Sequence, residues 1–216
     1  MIPPPFCGPP AAHPQEIVTA SLHDSTVNLW APPRGGARKA GGMTHRWLVG
    51  GVVGLLLLAG CAARPTATAT ITGTTPGSKL SGTARFAQTV DGVHVIIMIA
   101  NAPPGKHGLH IHEHGDCGES GKAAGGHFNP DHVSHGFLPK DGFAHAHAGD
   151  LGNIEIGPNG SGRLELVIPG LALTGPGKYA IGGRAVILHE KADDFGQPTG
   201  NAGGRIGCGV IPQLNE

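Results

Sequence analysis

The stretch "GLHIHEHGDC", Gly108–Cys117, alternates Leu109, His110, Ile111 and His112 along what reads as one β-strand. Successive side chains on a strand point to opposite faces, so Leu109 and Ile111 share one face and can enter a core. His110 and His112 share the other, roughly 6.6 Å apart along the strand axis, close enough for both rings to converge on one ion. His114 has the parity of that pair, but Gly115 lets the strand end and leaves His114 at its rim.

The same reading extends outward. The chain has 216 residues with 38 Gly and 19 Pro, and only 14% are charged and 4% aromatic. No long stretch has a 3.6-residue apolar period, and Gly and Pro favour turns over helix interiors. Strands are expected at Thr68 to Gly73, Leu80 to Gln88, Val93 to Asn101, Gly108 to Gly115 and around Ile154 and Ile156. Others are expected around Leu164, Leu166 and Ile168, at Ala185 to His189, and at Ile206 to Ile211. The predicted class is therefore all-β, an eight-stranded Greek-key sandwich or barrel. Two long stretches, Asp116 to Asp150 and Glu190 to Gly204, interrupt it and hold or adjoin the unusual residues; loops longer than about 12–15 residues are commonly functional or disordered. Formal net charge is zero and the pI is about 7.3, which argues against a nucleic-acid partner. The cysteines, at 7, 61, 117 and 208, form no CxxC pair, so a zinc ribbon is excluded.

Met43 begins "MTHRWLVGGVVGLLLLAGC", a short basic start and an apolar run from Trp47 to Ala59. That run fits a secretory signal and falls short of the ~20 residues that span a bilayer. Its end, "LAGC", Leu58 to Cys61, resembles the lipobox of bacterial lipoproteins, in which the cysteine is acylated after cleavage. Residues 1–42 then read as a gene-model extension or a disordered leader, with Met43 as the start. Residues 43–60 read as signal peptide, 61–67 as tether and 68–216 as the folded domain.

Nine of the 14 histidines lie between His107 and His147. With "HGLHIHE", "GDC", "GGHFNP", "HAGDLGN", "HEKADD" and "GNAGGRIGCGVI", the chain resembles the Cu/Zn superoxide dismutases from about residue 68 to its end, in the exported bacterial lipoprotein form. The resemblance implies a copper held by His110, His112, His127 and His189, and a zinc held by His127, His135, His147 and Asp150. One of each metal is implied per subunit, with His127 bridging them. Four imidazoles suit tetragonal Cu(II), and three His with one carboxylate suit tetrahedral zinc. It further implies alternate reduction and oxidation of copper by superoxide, giving O₂ and H₂O₂, with His127 moving a proton. Asp193 would link a copper histidine to a zinc histidine, and Arg205 would draw the superoxide anion in. Cys117 and Cys208 would form a disulfide.

Three departures stand out. The segment between His135 and His147 is longer than in eukaryotic relatives and contains His145 as a rival to His147; the spacing H-x-G-D favours His147. Pro198 replaces a lysine of those relatives, although Thr199 is kept. His114 replaces an apolar residue of the eukaryotic dimer contact, so any homodimer is expected to form in another way. His94, His107 and His132 match no ligand and read as polar or exposed. The expected setting is the cell envelope, with the protein exported and lipid-anchored at Cys61. A copper or zinc buffer using the same ligands without turnover is the rival reading, and Arg205, Asp193 and the ordered loops favour catalysis over it.

Overall fold

A computed structural model describes residues 64–214. The expected Cys61 anchor and everything before it lie outside the described residues. Eight strands are present: β1 Thr66–Gly73, β2 Ser81–Gln88, β3 Gly92–Ala100, β4 Gly105–His112, β5 Asp150–Ile156, β6 Gly162–Pro169, β7 Ala185–His189 and β8 Arg205–Val210. They close into an antiparallel barrel in the order β1-β2-β3-β6-β5-β4-β7-β8. The β3–β4 and β6–β7 connections each skip two strands, which is the Greek-key pattern expected from the sequence. Closure leaves no open sheet edge.

Alternation fixes the inside. On β1, Ala67, Ala69 and Ile71 are buried while Thr66, Thr68, Thr70 and Thr72 face water. Phe86, Val95, Ile97, Leu109, Ile111, Leu151, Ile154 and Leu188 continue the same core. β7 is buried along its whole length. Val186 and Leu188 join the main core, whereas Ala185 and Ile187 pack with Ala124 and Cys208 under the first long loop. Cover on both faces explains its unbroken apolar run.

Two strands, β1 and β4, have limits more than one residue from expectation. β1 begins at Thr66, where pairing with Ala87 is already established. β4 runs from Gly105 to His112, earlier at both ends than the Gly108 to Gly115 expected. Beyond His112 the backbone pairs with the returning loop, through Glu113 N–H to Gly126 O and His114 N–H to Ala124 O. His114 therefore leaves the sheet and is exposed.

The irregularities in the ladder decide which side chains meet. Against β4, β5 pairs Gly108 with Asn153 but His110 with Asp150, one residue out of step. Gly152 takes a left-handed backbone (φ +82°) within this bulge, a conformation that favours glycine. The shift sets Asp150 opposite His110. Against β7, β8 pairs Leu188 with Gly207 but His189 with Arg205, again one residue out of step. That shift sets Arg205 opposite His189.

The first long loop, residues 113–149, contains a tight turn over Glu119–Ala124 and one short helix, α1 Leu138–Asp141. The second covers residues 190–204. A disulfide joins Cys117 to Cys208 with Cα atoms 5.7 Å apart, within the ordinary range. No helix among the described residues is long and apolar enough to cross a membrane.

Candidate metal centre

Strand parity and the two bulges bring the predicted ligands together in two groups. His110, His112, His127 and His189 form one, and His127, His135, His147 and Asp150 form the other; within each, the candidate ligand atoms lie within 4.8 Å of one another. All seven residues are buried. His127 belongs to both.

Hydrogen bonds to the surroundings fix which ring nitrogen each histidine has left. In the first group, His112 Nδ1 donates to Gly125 O at 3.0 Å, and His189 Nδ1 to Gly203 O at 3.3 Å. Their Nε2 atoms face each other at 3.4 Å. His110 uses Nε2 on Asp193 Oδ2 at 2.8 Å, and its Nδ1 is buried without any hydrogen-bond partner. A buried imidazole nitrogen with nothing to bind is costly in a purely structural protein. Pointed into a set of three other imidazoles, it is placed to serve as a ligand atom, and four imidazole nitrogens suit copper.

In the second group three Nδ1 atoms crowd one carboxylate. His127 Nδ1 and His147 Nδ1 lie 2.9 and 3.2 Å from Asp150 Oδ1, and His135 Nδ1 lies 2.9 Å from Asp150 Oδ2. The His135 contact makes no hydrogen bond despite its length, as expected of two ligands aimed at one ion. Three imidazoles and a carboxylate suit tetrahedral zinc. His127 thus turns Nδ1 to this group and leaves Nε2 to the other.

Burial, and then the neighbouring imidazoles and Arg205, push His112 down to about 2 and His189 to about 3; burial also lowers His127 to about 4. These three rings are neutral, the form that binds metal. Burial opposes charge on His135 as well, yet Asp150 and Asp193 outweigh it and raise the ring to about 9. Both carboxylates are held well below the usual range by their histidine contacts, against the effect of burial.

Asp193 links the two groups. Its Oδ2 takes His110 Nε2, and its Oδ1 takes His135 Nε2 at 2.9 Å. Asn153 holds the Asp193 backbone from both sides, accepting from its N–H at 2.7 Å and donating to its carbonyl at 2.9 Å. Gly200 packs against the carboxylate with φ +74°, and a Cβ there would lie 1.9 Å from Asp193 Oδ1. Gly200→Ala is expected to lower stability by about 1–3 kcal/mol and metal affinity by roughly 10–100-fold. Thermal melts and competition against a chelator measure the two effects.

Arg205 is half-buried, and its guanidinium donates to Gly121 O and Gly125 O. Gly125 O is also the acceptor for His112, so this charge is anchored beside the first group. A cleft of about 450 Å³ opens onto His127 and His147, walled in part by Glu113, His132, Pro198 and Thr199.

Of the remaining histidines, His145 is exposed and belongs to neither group. His132 is exposed, and His94 pairs with Glu165 across the sheet. His107 departs from expectation. It is buried, with Nδ1 2.8 Å from His189 O and Nε2 2.9 Å from Pro103 O, so it ties the start of β4 to the end of β7. Three other contributors went unrecognised in the sequence. Asn153 stands inside the quoted "GDLGN" but had no role assigned. Gln197 accepts from His135 N–H and donates to its carbonyl. Arg184 packs over the Phe128 ring, 3.4 Å from its centroid, and donates to Glu113 O.

A closed eight-stranded Greek-key barrel carrying two histidine groups that share one imidazole defines a dinuclear metalloprotein of the copper and zinc type. The description "Copper/zinc superoxide dismutase (SODC)" matches residues 80–211, and the chain belongs to that family. An extracellular superoxide dismutase [Cu-Zn] of Caenorhabditis elegans is 42% identical over 146 residues, covering 64% of this chain. The match also covers 64% of that relative, less than two thirds of its length. An extracellular superoxide dismutase [Cu-Zn] of Drosophila melanogaster is 41% identical over 145 residues, covering 62% of this chain and 76% of the relative. The crystal structure of the clock protein EA4 superposes with a TM-score of 0.61 at 42% identity, covering 72% of this chain and 98% of that one.

Proposed function

We propose that this protein dismutes superoxide to O₂ and H₂O₂ in the bacterial cell envelope, exported and held to a membrane by lipid at Cys61. The observation that carries the catalytic reading is His127, whose single ring serves both metal groups. Copper at His110, His112, His127 and His189 would supply the one-electron chemistry, and zinc at His127, His135, His147 and Asp150 would hold the bridging ring and order its loop.

The chain's own residues do the rest. Arg205 provides an anchored cation beside His112, where a small anion gains most from a charge set in a low-dielectric wall. His127 Nε2 is the nitrogen positioned to hold a proton for the departing peroxide. Asp193 orients His110 and His135 together, as carboxylates behind metal-bound imidazoles do.

Membership of a family with extracellular relatives supports export, as does the Cys117–Cys208 disulfide, since such bonds persist in oxidising compartments. The "LAGC" at Leu58–Cys61 supports the anchor. His114 is polar and exposed, with 66% of its side chain accessible, which favours self-association, where it occurs, through a surface other than the eukaryotic one.

Purified protein loaded with copper and zinc is expected to remove superoxide rapidly, followed by stopped-flow absorbance. Tight copper binding without turnover would replace this reading with that of a metal buffer. Arg205→Ala is expected to reduce the second-order rate constant by about tenfold or more and flatten its dependence on ionic strength. Palmitate labelling of wild type against Cys61→Ala tests the anchor.

A further inference from the structure

Phe195 is 44% exposed, an unusual placement for a phenylalanine beside a charged, buried site. Its backbone is left-handed, φ +60°, a region that an aromatic residue occupies at a cost. The ring lies nearly parallel to the His135 imidazole, 18° between planes and 6.4 Å between centroids. The His135 side chain itself has no exposure. Phe195 N–H also donates to Asp193 Oδ1 at 2.8 Å, the oxygen that accepts from His135.

A second ring backs the first. Phe137, from the other long loop, lies 6.0 Å from Phe195. It follows Gly136, whose N–H donates to Asp150 Oδ2 at 3.0 Å. Space for this ring exists because residue 152 is glycine: a Cβ there would lie 2.8 Å from Phe137 Cε2. The two phenylalanines therefore come from separate loops, each next to a backbone N–H bonded to a site carboxylate.

We infer that Phe195 and Phe137 form an aromatic cap that retains zinc by preventing His135 from swinging out of the second group. Loss of a chelated ion proceeds ligand by ligand, and its rate is set by how readily the first ligand detaches and meets water. His127 and His147 face the open cleft, but His127 is shared and His147 is packed against Asp150. His135 is the ligand over which Phe195, itself backed by Phe137, is stacked. The cap acts by positioning and touches no reacting atom. It presupposes that the Asp150 group takes zinc, the reading given above.

The test follows zinc release from the copper- and zinc-loaded protein into excess 4-(2-pyridylazo)resorcinol, well below the melting temperature. Phe195→Ala is expected to release zinc at least tenfold faster, and Phe195→Tyr close to the wild-type rate. Phe137→Leu is expected to fall between them. Copper content and the melting temperature of the metal-free protein should be unchanged by Phe195→Ala, which separates loss of the cap from general loosening. Equal release rates in wild type and Phe195→Ala would overturn the cap and leave the zinc site standing. Failure of the wild type to take up zinc would overturn both.

Discussion

His112→Ala, loaded with both metals, is expected to lose superoxide-removing activity to the level of free buffer. The ring is one of four in the first group, and β4 offers no substitute, because the next histidine of the same parity, His114, has left the sheet. The second group contains no atom of His112, so zinc uptake should survive. The diagnostic result is a protein that binds zinc stoichiometrically, copper weakly, and turns over nothing. Retained dismutation by this variant would contradict the copper assignment itself. His145→Ala is the matched control: it removes an exposed histidine in neither group and should leave both metals bound.

Removal of the disulfide is expected to have the largest effect on stability. The bond joins cysteines 91 positions apart, for which the chain-entropy relation gives about 4–5 kcal/mol of denatured-state destabilisation, strain ignored. Domains of this size are stable by only about 5–15 kcal/mol, so Cys117→Ser should shift the denaturation midpoint strongly. The effect reaches the site as well. Cys117 lies near the start of the loop whose Gly121 and Gly125 carbonyls hold Arg205, and Gly125 also holds His112. Denaturant titration measures the stability loss, and copper affinity of the still-folded fraction measures the local one. A midpoint within error of wild type would show that the native state gains nothing from the cross-link.

Period-two alternation made most of the barrel legible. Leu109 and Ile111 on β4 could be assigned to the core from spacing alone, and the structure buries both, whereas Ala67, read as tether, is buried as the first inward residue of β1. The pairing of His110 with His112 followed from the same rule. What the rule could not reach was register. Nothing in "HAGDLGN" read as a string says that Asp150, and not Leu151, stands opposite His110; that depends on the bulge at Gly152. The limits of β4 slipped for a related reason, since the residues after His112 remain extended but pair with a loop that a one-dimensional pattern does not contain. His107, which matches no ligand, reads as polar or exposed, and with Lys106 and Gly108 beside it no alternation marks it as inward. Its burial depends on carbonyls at Pro103 and His189, the second far away in the chain. The family resemblance, resting on short ordered motifs, pointed to ligands on four separate segments that local periodicity could not have joined.

The two bulges make the metal groups a matter of counting as well as chemistry. Each ladder is out of step by a single residue just where a functional side chain enters, Asp150 on β5 and Arg205 on β8. Delete one position between Asp150 and Asn153 and, with the rest of the ladder held, every residue needed for the zinc group is still encoded while the carboxylate slides one place along its strand. A chain altered in this way keeps every ligand and nearly all its core, yet its frame is wrong. For this barrel, tolerance to exchange of side chains and tolerance to change of length are separate properties, and the second is the narrower at these two places.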